Sequence, residues 1–165
     1  MISLSLESAL AIGLGANLSS CHGPPESTLR WIASRLTALL LEWGDADAQD
    51  VRCSSFMKTQ PVGGPPGQDE YCNAVLLISR VQRPPSEVAA LELLNEMQCL
   101  EQSCGRDRAR EQRWGPRTLD LDLLFWGELR LEHPELVLPH PRLHLRSFVL
   151  EPLLQAIQGV HPPCW

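Results

Sequence analysis

The chain is almost without lysine: of its fourteen Lys and Arg residues only Lys58 is a lysine, and net charge is −6 over 165 residues. An acidic balance argues against non-specific nucleic-acid binding. No apolar run reaches about 18 residues, so no transmembrane helix is expected and no membrane partner. The N-terminus lacks a basic segment and carries Glu7, which does not read as a signal peptide. Six cysteines (Cys21, Cys53, Cys72, Cys99, Cys104 and Cys164) form no Cys-x-x-Cys pair. Scattered in this way, they read as reduced thiols of a cytoplasmic protein. Repeats, low-complexity tracts and linkers are also missing. The expectation is one soluble domain over residues 1–165, a monomer.

What is present is concentrated in one place. In "RWGPRTLDLDLLFWG", residues 113–127, leucines alternate with Asp120 and Asp122. A period of 2 is a strand signal, and it puts both carboxylates on one face about 6–7 Å apart. Like charges that close raise each other's pKa unless something compensates them. Arg113, Arg117 or a bound divalent cation could do so. A bare Asp-x-Asp is equally a solvated strand face. Just upstream, Arg106, Arg108, Arg110, Arg113 and Arg117 crowd into a dozen residues. Arginine grips phosphate in a planar, bidentate way. An arginine clamp beside two carboxylates is what a metal-bound polyphosphate needs.

Along the chain, "ALAIGLG" reads as a buried strand and residues 26–43 as a helix with Leu29, Ile32, Leu36 and Leu39 on one face. "DVRCSSFMKT" reads as a second strand, "QPVGGPPGQDE" as a Gly/Pro-rich loop and "YCNAVLLISRV" as a third strand. A helix follows, with Ser86 as N-cap and Gly105 as C-cap. After the arginine loop and aspartate strand come a turn, a short extended piece, a proline-rich loop, and a closing helix interrupted or started near Pro152. The order βαββαβ predicts an α+β, ferredoxin-like antiparallel sheet with both helices on one face and C-terminal additions. Its other face would be open unless loops cover it.

Taken together, "GLGANL", "SSFMKTQPVG", "EYCNAV", "CGRDRAREQRWGPRTLDLDLLFWG" and "VLPHPRLHLRSFVLEPL" resemble the hydroxymethyldihydropterin pyrophosphokinases. These folate-pathway enzymes move diphosphate from ATP to a pterin alcohol. The resemblance runs from about Ile12 to Leu154. It implies that Asp120 and Asp122 hold two magnesium ions on the ATP phosphates. It places Thr59, Val62, Tyr71, Asn73 and Phe148 at the pterin, and Gln98, Glu101, Arg106, Arg113, Trp114, Arg117, His140 and Arg146 around ATP. Ala16, Met57 and Gln60 depart from residues common in the family, and the 21–27 stretch is unusual for it.

The reaction so implied is attack by the hydroxymethyl oxygen of 6-hydroxymethyl-7,8-dihydropterin on the β-phosphorus of ATP, with AMP released. No residue presents itself as a general base. The loop arginines, with either Arg108 or Arg110 beside Arg106, would act on the triphosphate. If extended, residues 106–110 put three guanidiniums on one side of a segment with no apolar anchor. That arrangement suits a lid. Two other classes fit parts of the pattern: an Asp-x-Asp metal-dependent transferase and a non-catalytic ferredoxin-like nucleotide-binding module. Zinc on His140, His144 and Cys21 is a weak third.

Overall fold

The computed structural model describes residues 6–159. Seven strands and three helices follow in the order β1 (Leu10–Ala16), α1 (Pro25–Trp43), β2 (Val51–Cys53), β3 (Met57–Thr59), β4 (Tyr71–Ile78), α2 (Glu87–Ser103), β5 (Asp120–Trp126), β6 (Leu131–His133), β7 (Leu136–Leu138) and α3 (Ser147–Gln158). The sheet order is β2-β4-β1-β5, with β3 also on β4, and every pairing is antiparallel. This is the ferredoxin-like split βαβ arrangement.

The strand expected over residues 50–59 is two short strands on the same edge of β4. Ser54 is the reason. Its hydroxyl accepts from the Val75 amide at 2.9 Å, taking the place a backbone carbonyl would hold in the ladder. The Ser55 amide then turns away to the Gln155 side chain on α3. The short extended piece after the aspartate strand is a hairpin, β6–β7. Nor does Pro152 start or interrupt the last helix: α3 runs through it, and the ring is buried.

Strand periodicity sorts the side chains cleanly. Leu10, Ile12, Leu14, Leu76, Ile78, Leu121 and Leu123 join the core under α1 and α2. The opposite face is half covered: α3 packs Val149, Leu153 and Ala156 onto Ala11, Val75, Leu77 and Leu124. The rest of that face is left to Gly13, Gly15, Asn73, Asp120 and Asp122. Opposite β1 the register shifts, so that Ala11 pairs Phe125 and Ile12 pairs Leu123. Leu124 is the extra residue of a β-bulge, and it returns Trp126 to the helix side of the sheet.

Helix α2 begins where Ser86 Oγ accepts from the Ala89 amide at 3.2 Å. Its end corrects the expected cap by one residue. Cys104 is the C-cap, and Gly105 follows at φ +85°. The Gly105 amide donates to Gln102 O and the Arg106 amide to Glu101 O, the paired bonds of a Schellman motif. Arg106 therefore leaves the helix with its backbone already tied.

One cysteine also departs from expectation. Cys53 is disulfide-bonded, whereas Cys21, Cys72, Cys99 and Cys104 are free. Cys164 lies outside the described residues. No helix among the described residues is long and apolar enough to cross a membrane.

Candidate active site

Reading across the sheet, β5, β1 and β4 place Asp120, Gly15 and Asn73 in one row. The next residue pair is Asp122 opposite Gly13. Strands lie about 4.8 Å apart, so roughly 10 Å separates the acid strand from Asn73. The floor between them is glycine backbone. A Cβ on Gly15 would come within 3.2 Å of Asn73 Oδ1, so any side chain there crowds the amide.

The cleft above this floor is lined by Thr59, Val62, Tyr71, Asn73, Trp114, Arg117, Asp120, Asp122, Arg146 and Phe148, all of them residues singled out in the sequence. At its Asn73 end the walls are aromatic and the polar groups few. Asn73 Nδ2 donates to Thr59 Oγ1 at 2.7 Å, fixing which way the amide points. The Tyr71 hydroxyl donates to Gly115 O at 2.9 Å, which holds the ring upright against the next loop. A flat, edge-polar ligand suits such a slot.

The two aspartates differ sharply. Asp120 Oδ1 accepts from Arg106 Nη1 at 2.7 Å and Oδ2 from Arg117 Nη1 at 2.8 Å. Burial pushes this carboxyl up, but the guanidiniums of Arg117 and Arg106 outweigh that and hold it below the usual range. Among the described residues Asp122 pairs only with Arg146, whose Nη1 lies at 3.5 Å. Burial first, and the Asp120 charge second, push it up to about 7. The expected compensators were Arg113 and Arg117. Arg117 serves, Arg106 joins it, and Arg113 instead lies over the Trp114 ring at 4.6 Å.

Behind the cleft sits a buried charge network. Glu101 accepts four hydrogen bonds, from Arg106, from the Leu121 amide and twice from Arg108. Burial pushes its carboxyl up, and Arg106, the Leu121 amide and Arg108 oppose the shift. Glu111 ties in as well, accepting from Arg106 Nε at 2.7 Å and Nη2 at 3.0 Å. The picture of three arginines on one side of an extended segment is corrected here. Residues 108–110 form a turn, with the Arg110 amide on Asp107 O. Arg106 points inward with a side chain 2% exposed, Arg108 lies over Glu101 at 48%, and Arg110 stands at 89%. Arg106 has its anchors; they are ionic rather than apolar.

Gln98 is half-buried on α2 and does not line the cleft; neither do Glu101, Arg106, Arg108, Arg110, Arg113 or His140. The His140 ring is oriented nonetheless. Its Nδ1 accepts from the Arg142 amide at 3.2 Å, which leaves the proton on Nε2. Burial, then Arg146, lowers its pKa. Sequence reasoning passed over Asn17, Gln68, Glu111 and Arg142. Asn17 sits inside "GLGANL" and was visible there; Gln68 carried no signal in its loop.

The fold and site define a class: a ferredoxin-like protein with a carboxylate and guanidinium cleft beside an aromatic slot. A family model described as 7,8-dihydro-6-hydroxymethylpterin-pyrophosphokinase matches residues 11–158, and the chain belongs to that family. Three relatives carry the name 2-amino-4-hydroxy-6-hydroxymethyldihydropteridine pyrophosphokinase. That of Synechocystis sp. is 36% identical over 144 residues, covering 87% of this chain and 64% of the relative. That of Haemophilus influenzae is 37% identical over 144 residues, covering 87% and 78%. That of Bacillus subtilis is 37% identical over 149 residues, covering 90% and 78%. The chain thus spans under two thirds of the first relative's length and more of the other two.

Proposed function

We propose that the protein transfers diphosphate from ATP to the hydroxymethyl group of 6-hydroxymethyl-7,8-dihydropterin, giving the pterin diphosphate and AMP, a step of folate biosynthesis. The observation that carries this reading is the row Asp120–Gly15–Asn73. A pterin lying on the glycine floor has its amide edge at Asn73 and room to send its hydroxymethyl arm toward the aspartates. Tyr71 and Phe148 offer it ring faces, and the backbone near Thr59 and Val62 rims the slot.

The donor set suits a divalent cation. Asp120 and Asp122 are oxygen ligands on one strand face, and Asp122 is paired less tightly than Asp120, with Arg146 Nη1 at 3.5 Å. Two carboxylates, with phosphate oxygens and water completing the shell, fit magnesium rather than zinc. Two such ions with ATP would supply positive charge against the triphosphate and the paired acids. The remaining work belongs to the chain. Arg117 and Arg146 flank the carboxylates from within the cleft, where their charge meets the anionic nucleotide. His140, held with Nε2–H free of the Arg142 contact, has a donor for a phosphate oxygen. Arg106 reaches the chemistry through Asp120, and Glu101 and Gln98 stand on the helix behind. In the transfer the pterin oxygen bonds to the β-phosphorus, the α–β bridging bond breaks, AMP carries off the bridging oxygen, and the hydroxyl proton passes to solvent. Positioning and charge supply most of the rate in such a step.

Membership of the family supports this over the non-catalytic module and the unrelated Asp-x-Asp transferase. The test is chromatography of nucleotides after incubation with magnesium and ATP. AMP should form only when 6-hydroxymethyl-7,8-dihydropterin is added, mole for mole with the pterin diphosphate. AMP without the pterin, or none with it, would overturn the reading.

A further inference from the structure

The turn from Ser20 to Gly23, between β1 and α1, is no part of the cleft, yet it is held firmly for an exposed turn. Ser20 and Gly23 exchange backbone hydrogen bonds at 2.9 and 3.1 Å. The Ser20 hydroxyl meets that of buried Thr28 at 2.7 Å and accepts from the His22 amide at 3.0 Å. The His22 ring stacks on Trp31 of α1, with centroids 3.7 Å apart and 15° between the planes. Cys21, left exposed by these contacts, faces the end of α2: its thiol donates to Ser103 O at 3.6 Å.

The next residue, Cys104, is the C-cap of α2, a free thiol 1% exposed. A carbonyl oxygen sits about 2.8 Å from the following Cα, so the Cys21 sulfur lies within roughly 6.5 Å of the Cys104 Cα. Turning a cysteine between χ1 wells moves its sulfur by about 3 Å. A disulfide spans Cα atoms about 4.4–6.8 Å apart, so a small adjustment of the turn brings the pair together. Burial pushes the Cys104 thiol up, the Ser103 contact opposes the shift and the nearby Cys21 charge adds to it. Exposed Cys21 therefore meets an oxidant in solution first. Cys99 on α2 is exposed as well, but it lies one turn back, whereas the Ser103 carbonyl points forward along the helix toward Cys104.

We propose that Cys21 and Cys104 form a modification site, a thiol pair that a peroxide converts to an intramolecular disulfide and so lowers turnover. The Cys21 thiolate attacks one peroxide oxygen, the O–O bond breaks and one water departs, leaving Cys21 as a sulfenic acid. The Cys104 thiolate then attacks that sulfur; the S–S bond forms, the S–O bond breaks and a second water departs. Two thiols lose two electrons and two protons, and one peroxide becomes two waters. The bridge has leverage because Cys104 stands two residues before Arg106. Its amide is tied to Leu100 O and Glu101 O, and the turn that follows aims Arg106 at Glu101 and Asp120. Drawing Cys104 toward the 20–23 turn displaces this cap and, with it, the guanidinium that holds Asp120. The effect on turnover, though not the bridge itself, rests on the function proposed above.

The experiment treats the reduced full chain with hydrogen peroxide and removes the excess with catalase. One portion is assayed for turnover; the other is blocked with N-ethylmaleimide, digested with trypsin without reductant and read by mass spectrometry. Cys99→Ser is run in parallel, because its tryptic fragment 81–106 then holds Cys104 as its single cysteine. Fragment 1–30, which carries Cys21, should be joined to fragment 81–106 in both proteins. Turnover should fall about tenfold or more and return with dithiothreitol. Cys21→Ser, a near-isosteric change at an exposed position, should keep its turnover through the same treatment. No joined fragments in Cys99→Ser, a bridge that leaves turnover unchanged, or an equal loss of turnover in Cys21→Ser would overturn the proposal. A reduced protein that makes no AMP from ATP and the pterin would instead overturn the functional reading, and the fragment map would still decide the bridge.

Discussion

The floor of the cleft and its rim are built on different terms. On the floor, Asp120, Asp122, Asn73 and Tyr71 stand on paired strands whose side-chain directions follow from a period of two. On the rim, Trp114, Gln68, Arg106 and Arg117 stand in segments whose shape comes from individual polar bonds. The floor would survive loss of any one side chain, because the backbone ladder sets it. The rim would not. A substitution on the floor should therefore act on chemistry or on one ligand, whereas one on the rim should act through its neighbours.

The two aspartates give the sharpest test, since both are floor residues but only one is tied to the rim. Asp120→Ala and Asp122→Ala should each lower turnover roughly a hundredfold or more. Stability should separate them. Asp120→Ala strips a partner from Arg106, which is buried, and should cost about 3 kcal/mol in the ligand-free protein. Asp122→Ala removes a crowded, poorly paired carboxyl and should leave the melting temperature unchanged or higher. Equal melting temperatures for the two variants would break the distinction.

Asn73→Ala comes next. Losing the amide proposed to read the ligand edge should weaken pterin binding by about 1–3 kcal/mol while nucleotide affinity stays within about twofold. Equal loss of both would mark Asn73 as part of the rim's scaffolding through Thr59.

A smaller effect follows from pH. Asp122 is pushed up to about 7 from an ordinary 3.8. Between those values the folded protein holds a proton that the unfolded chain has released, so stability falls as pH rises through the window. The stabilisation is complete below about 4 and gone above about 7. In the ligand-free protein, melting curves of Asp122→Asn and the unmodified chain should diverge by a few degrees as pH rises from about 4 to 7, the variant becoming relatively more stable. Parallel curves would mean that Asp122 stays ionised.

Smallest of all is Arg110→Ala. Its side chain is 89% exposed and among the described residues pairs only with Asp107, so turnover and melting temperature should move by less than about twofold and about one degree. A large fall in turnover would show that the turn at 108–110 rearranges when the substrates bind.

Much of the floor could be read in advance because strand alternation is a property of neighbouring residues. Leu119, Leu121 and Leu123 are buried and Asp120 and Asp122 face the cleft, as the period requires. The interruption at Ser54 could not be read, since a serine hydroxyl in a ladder position looks in sequence like any strand serine. Residues 106–110 misled for a related reason. Alternate arginines suggest an extended segment, but the Schellman turn after Cys104 points Arg106 at Glu101, and only the partner's location reveals it. Helix α3 gave no warning that it would cover half of the second sheet face, because its exposed side, with Leu150, Leu154 and Ile157, is as apolar in sequence as its buried one, with Val149, Leu153 and Ala156.

The bulge at Leu124 has a consequence for how this strand tolerates change in length. It works as a phase shift: upstream of it odd-numbered residues of β5 face the helices, and downstream an even-numbered one, Trp126, does. Insertions or deletions in a strand normally flip everything to one side of the change. Here the flip is already spent between the acids and the tryptophan. Deleting Leu124 would restore a regular ladder and flip neither half: Leu123, Phe125 and Trp126 would alternate, the carboxylates would stay on the cleft face and the indole in the core, and only the Leu124 contact with α3 would be lost. The segment is thus two half-strands spliced out of step, one serving the cleft and one the core, and the bulge is where this strand can lose a residue without moving either.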